Sequence, residues 1–144
     1  MPNSFVEDIL HQVTNKFGEV RRIGDGYSLY QITSNQVIVY FRYSKKSKAS
    51  GSTDKAFYGL RREDVARLYE GTSFICFVWD KPDSPILFPF TKYKSYFIKA
   101  QPAADGQFKT SLYFKPNDTE IYFANINRFN ANAFYGLNML FDLL

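Results

Sequence analysis

Residues 37–43 read Val-Ile-Val-Tyr-Phe-Arg-Tyr, and this run constrains the fold more than any other stretch. β-Branched and aromatic side chains follow one another without the polar alternation of a half-wet strand, so both faces of the strand must be covered. The run predicts a central strand in a sheet with helices packed against it. It passes directly into Ser44-Lys45-Lys46-Ser47-Lys48, and residues 44–54 read as a hydrophilic Lys/Ser/Gly loop.

The flanking chain supplies both kinds of element. Ser4 and Glu7 have capping-box spacing, and Val6, Ile9, Leu10, Val13 and Phe17 recur with helical period before Gly18. A helix over 4–17 follows. Strands are expected over 19–23 and 27–32, with Gly24-Asp25-Gly26 as the turn between them. Beyond the basic loop come a short strand at 56–60 and a helix over 62–70 with Val65, Leu68 and Tyr69 inward. A strand at 74–79 is turned back by residues 80–85 to pair with 86–90, where Pro89 implies an edge or strand end. A short helix over 92–99 precedes a hairpin of 111–114 with 120–123 around Lys115-Pro116-Asn117-Asp118. An asparagine-rich connection (Asn125, Asn127, Asn130, Asn132) leads into an apolar helix over 131–144. The expectation is one α+β domain over residues 1–144, a mixed β-sheet with an N-terminal helix, a central helix and a C-terminal apolar helix.

Composition removes several classes of function. Fifteen Phe, eleven Tyr and one Trp in 144 residues mean a core built from rings, with many hydroxyls left to place. The single cysteine forms no intrachain disulfide, and one Cys with one His supplies neither a zinc ligand set nor a Cys/His nucleophile pair. Cys76 sits in an apolar run and reads as a small buried hydrophobe, and His11 as an exposed helix residue. No apolar run reaches the ~20 residues that span a bilayer. The N-terminus lacks the charged and apolar regions of a signal peptide, so a cytoplasmic protein that does not meet membranes is expected.

Positive charge is gathered in one place. Arg42, Lys45, Lys46, Lys48, Lys55, Arg61 and Arg62 face a single anion, Asp54, between residues 42 and 62. That window carries +6 in a chain of net charge +4, as in proteins that meet nucleic acid or another polyanion.

Asp25 ahead of the second strand, and Tyr40-Phe41-Arg42 in the third, stand at the spacing of a familiar pair of motifs. In that order of elements the chain resembles the restriction-endonuclease-like PD-(D/E)xK superfamily, over roughly residues 4 to 90. The family holds Mg²⁺ with an acid before one strand and with the (D/E)-x-K triplet on the next. Here Tyr40 stands for the second carboxylate and Arg42 for the lysine, so only Asp25 matches a metal-binding position. The resemblance therefore implies a dead site, because Mg²⁺ needs oxygen ligands that Tyr40 does not supply. It also implies a DNA-facing surface, since small domains of this sort act as targeting modules of prokaryotic restriction and DNA-defence systems.

Arg42, Tyr43, Ser44, Lys45, Lys46 and Lys48 form the first candidate DNA contact, offering cations and short hydroxyls to phosphates. A solubilising loop is the plain alternative. Arg61 and Arg62 precede the central helix and suit phosphate or guanine, although Glu63 and Asp64 follow closely enough to neutralise them. Lys92, Tyr93 and Lys94 alternate cation and ring as base-stacking surfaces do, and equally as the two faces of a short helix. Trp79 could line a cage for a flipped base, and the asparagines could read adenine, but core packing and turn formation explain both. The expected function is a non-catalytic DNA-binding module, for duplex before single strands and with a modified base as a candidate target. Its partners would be DNA and a larger effector subunit or the rest of a longer chain, with no cofactor, metal ligand or catalytic residue. Two alternatives stand beside it: a protein-interaction domain anchored by residues 134–144, and a metal-dependent nuclease.

Overall fold

The computed structural model of the chain describes residues 3–80, 85–123 and 127–143. α1 (Ser4–Phe17) buries Val6, Ile9, Val13 and Phe17, one residue per turn, on the face turned to the protein. Its cap lies one residue ahead of the expected Ser4: the Asn3 Oδ1 accepts the Phe5 N–H at 2.8 Å, and Asn3 has extended backbone. The helix closes at Gly18, φ +87°, whose N–H donates to the Thr14 carbonyl.

The chain continues through β1 (Val20–Ile23), β2 (Leu29–Ile32), β3 (Ile38–Tyr43), β4 (Ser47–Ser50), β5 (Thr53–Arg61) and α2 (Arg62–Leu68). Next come β6 (Ser73–Val78), β7 (Ile86–Pro89), α3 (Phe90–Ile98), β8 (Gln107–Lys115), β9 (Asp118–Phe123) and β10 (Asn127–Asn130). A 3₁₀ turn (Asn132–Phe134) and α4 (Asn138–Phe141) complete the described part. The class is α+β, with the N-terminal and central helices as expected, but the strands form two sheets rather than one. The first is ordered β1-β2-β3-β6-β7, antiparallel except where β3 runs parallel to β6. The second, ordered β10-β9-β8-β5-β4, is antiparallel throughout.

β3 occupies the centre of the first sheet, and both of its faces are covered. Ile38 and Tyr40 point into the layer between the two sheets. Val37, Val39 and Phe41 point to the other face, where α1 packs. Six fully buried rings, Tyr40, Tyr58, Phe77, Phe88, Phe90 and Phe123, meet in the inter-sheet layer. At about 1.5–3 kcal/mol for each large side chain removed from water, this layer is the chief source of stability and accounts for much of the aromatic content. Cys76 is fully buried on the α1 side, and burial pushes its thiol up. Trp79 packs on Phe114 and Tyr135 and belongs to the core, not to a cage.

Three expectations are corrected by the packing. Residues 44–54 are not simply a loop, because β4 pairs with β5 around Gly51 and extends the short strand at 56–60 to nine residues. Tyr69, expected inward, is 38% exposed. The apolar helix over 131–144 is broken into the 3₁₀ turn and one turn of α4, with Gly136 at φ +84° between them. Phe134 turns into the inter-sheet layer, while Leu137 and Leu140 join the α1 layer, and Tyr135 and Leu143 stay exposed. A continuous helix would not have reached both layers.

Residues 81–84, within the expected loop at 80–85, lie outside the described residues, as do Asn125 and Leu144. Among the described residues no helix is long and apolar enough to cross a membrane.

Candidate nucleic-acid interface

The end of β3 and the start of β4 are held by backbone contacts that leave lysine side chains outside. Ser44 N–H donates to the Val78 carbonyl at the end of β6, and the Ser44 Oγ accepts from Phe57 N–H at 3.3 Å. Ser44 is thus a joint between the sheets. Lys46 N–H donates to the Asp80 Oδ1 at 3.1 Å, while its ammonium stands 3.5 Å from Asp54 and 4.9 Å from the Phe114 ring centre. Lys45 and Lys48 are exposed. Lys46, Ser47, Lys48, Asp54 and Asp80 line an open depression of about 370 Å³. The Lys46 amide holds the Asp80 carboxyl below the usual carboxylate range, with the Lys45 and Lys46 charges adding to the effect.

The other residues of this candidate set face elsewhere. Tyr43 stacks on Phe5 of α1, rings parallel within 1° and 5.6 Å apart, and serves packing. Arg42 is half-buried, 3.4 Å from the Ser28 Oγ and 5.7 Å from the Tyr40 ring centre, in a hollow shared with Asn3, Val6 and Tyr27. Arg61 is drawn to Glu63 at 3.1 Å and Asp64 at 4.0 Å, so neutralisation by the following acids does occur. Arg62 stays exposed at the start of α2.

Lys92, Tyr93 and Lys94 are not on the same surface as the β3–β4 lysines. β7 ends with Pro89 opposite Phe74, at the start of β6, so α3 begins at the far end of that strand from Val78. Five residue steps of strand separate the two ends by roughly 16 Å. Tyr93 stacks on Phe88 at 4.8 Å and packs against Phe129 and Phe134, while Lys92 and Lys94 remain exposed. Lys92 and Lys94 thus lie at the opposite end of the first sheet from the β3–β4 lysines.

Two arginines stand beside Asp25, the acid that the resemblance assigns to a metal. Asp25, Glu63 and Asp64 line a cleft with Arg61 and Arg67. Tyr40 is wholly buried beside it, its hydroxyl accepting the Arg61 N–H at 3.0 Å. Burial pushes this phenol up, with Arg42 opposing the rise and Asp64 adding to it. Among the described residues no group of three or more His, Cys, Asp or Glu side chains is placed to hold a metal ion.

One surface went unread in the sequence, the outer face of the second sheet. Alternate residues of β5, β8, β9 and β10 point there, including Lys55, Phe57, Lys109, Tyr113, Tyr122 and Arg128. Phe57 and Tyr122 are 50% and 39% exposed. Period-two alternation was the available signal: Lys-Ala-Phe-Tyr-Gly-Leu at 55–60 and Glu-Ile-Tyr-Phe at 120–123 each put a buried side chain between outer ones. β4 is the edge strand of this sheet, and its register puts Ser47 on the outer face beside Lys55, whereas Lys48 falls opposite Asp54 and Lys46 reaches Asp54 and Phe114 on the other face.

Comparison with the profiles of known protein families finds no match, and a search of curated proteins finds no relative of this chain.

Proposed function

We propose that the chain is a non-catalytic DNA-binding module, working in the cytoplasm as the targeting part of a larger effector or of a longer chain. The observation that carries this reading is the lysine group of the β3–β4 turn. Lys45 and Lys48 are exposed, and Lys46 has its backbone anchored to Asp80 and its ammonium beside Asp54 in the same depression. Such a group, fixed to an edge strand, offers phosphates several cations at little cost in ordering. The resemblance to restriction-endonuclease-like domains favours DNA over other polyanions and a restriction or defence setting. Tyr40 in the place of the second carboxylate, and the arginines beside Asp25, support an inactive site. Fluorescence anisotropy with a labelled DNA over a series of salt concentrations tests the reading. Affinity should fall linearly in log–log form, and Lys45→Ala, Lys46→Ala and Lys48→Ala together should flatten the slope by about two to three, close to one for each phosphate left without its lysine. An unchanged slope and affinity in the triple variant would reject the reading.

A further inference from the structure

We infer that the outer face of the second sheet is a base-stacking platform for an unpaired DNA strand, whose backbone Lys55 and Arg128 hold. The inference rests on the DNA-binding reading above and adds the form of nucleic acid. Its basis is the arrangement of three rings and two cations. Phe57 on β5 and Tyr122 on β9 both lie opposite Ser111 on β8, so they stand two strand spacings apart, about 10 Å, with a small residue between them. Tyr113 lies two residues further along β8 on the same face, opposite Lys55 and Glu120.

None of the three rings stacks on another aromatic among the described residues; each is met by a cation instead. The Lys55 ammonium lies 5.4 Å from the Phe57 centre and 5.6 Å from that of Tyr113. The Arg128 guanidinium lies 6.0 Å from Tyr113 and 5.4 Å from Tyr122. Lys55 and Arg128 thus stand between successive rings, where the backbone of a strand laid across them would carry its phosphates. Phe57 and Tyr122 are 50% and 39% exposed over a buried Ser111, and stacking on such rings tolerates any base. Glu120 opposes the charge locally, 3.0 Å from Lys115 and 3.5 Å from Arg128. Lys55, Lys109, Lys115 and Arg128 outnumber Asp118, Glu120 and Asp105, which pairs with Lys109 at 2.6 Å, by one, and this sign favours a nucleic acid over an apolar protein surface. Duplex DNA keeps its bases stacked inside and would leave the rings unused, so the geometry selects an unpaired strand.

Binding of the full chain to oligothymidylate, to an abasic strand of equal length and to a duplex tests this at one low salt concentration. The wild type should bind oligothymidylate more tightly than the abasic strand. Phe57→Ala with Tyr122→Ala should lower affinity for oligothymidylate by roughly tenfold per ring, with the salt slope and the abasic-strand affinity unchanged. Tyr122→Phe, which keeps the ring, should bind as the wild type does. Equal affinity for abasic and thymidylate strands would overturn the platform, as would undiminished binding by the double variant or equal affinity for polyglutamate. Binding to duplex alone would overturn it while leaving the DNA-binding module standing. Binding to no DNA at all would remove both.

Discussion

The backbone N–H of Arg61 donates to the hydroxyl of Tyr40 at 3.0 Å, and so ties the last residue of β5 in one sheet to the middle of β3 in the other. Tyr40 is fully buried, so the contact sits where water is scarce. Tyr40→Phe removes the hydroxyl and leaves the Arg61 amide without this partner. The expected cost is about 1–3 kcal/mol, read as a lower urea midpoint at unchanged m-value. Affinity for DNA should be unaltered, since Tyr40 does not reach the surface. A midpoint equal to that of the wild type would mean that the tie contributes nothing.

Tyr58 makes a second tie of the same kind, its hydroxyl donating to the Val78 carbonyl at 2.9 Å. Burial pushes the phenols of both Tyr40 and Tyr58 up, so the folded chain keeps protons that the unfolded chain gives away near pH 10. Above that pH the unfolded state binds fewer protons, and stability falls. Below it the contribution is fully present. Each of the two tyrosines should remove about 1.4 kcal/mol per pH unit once the unfolded phenols are ionised. Urea titrations stepped through the alkaline range check this, and Tyr58→Phe should show a shallower decline. Stability that stays level well above pH 10 would exclude it.

Elements specified by their own residues were legible in the sequence. α1 announces itself by apolar spacing and by Gly18, and β3 by an unbroken apolar run, whereas the division into two sheets depends on pairings between distant strands. Lys48 opposite Asp54, and Lys55 opposite Tyr113, are polar or amphipathic positions that read locally as loop or short strand. Their strand character comes from neighbours on either side. The candidate site divided in the same way. The Lys45–Lys48 cluster was visible because it is contiguous in sequence. Phe57, Tyr113 and Tyr122 come together only through register, while Lys92 and Lys94, similar in composition to the cluster, are sent to the far end of the sheet.

The break in the C-terminal stretch turns on Gly136. Its φ of +84° is a region that L residues avoid, and a Cβ added there would meet nothing within 4 Å. Gly136→Ala should therefore cost about 1–2 kcal/mol through backbone conformation alone. Gly59 offers the converse test. It lies on the outer face of β5, and a Cβ there would meet the Gln107 Oε1 at the end of a flexible side chain. Gln107 can swing into solvent, so Gly59→Ala should change the urea midpoint little. If the two substitutions cost the same, the break at Gly136 does not arise from its backbone angle.

Asp54 is the counter-charge that phosphate would have to displace. Its carboxylate stands 3.5 Å from the Lys46 ammonium, and both side chains are about 30% exposed. A partly exposed pair of this sort contributes at most about 1 kcal/mol, which a phosphate must offset before it can take the lysine. Asp54→Asn keeps the shape of the side chain while freeing that ammonium. Affinity for DNA should rise by up to about fivefold, with a steeper salt dependence because another cation is available for neutralisation. The fold should survive, since the β4–β5 pairing at Lys48 and Asp54 is a backbone contact. The direction is opposite to that of the lysine substitutions, so a general weakening of the surface cannot imitate it. If Asp54→Asn binds DNA no better than the wild type at any salt concentration, Lys46 is not among the residues that hold the phosphate.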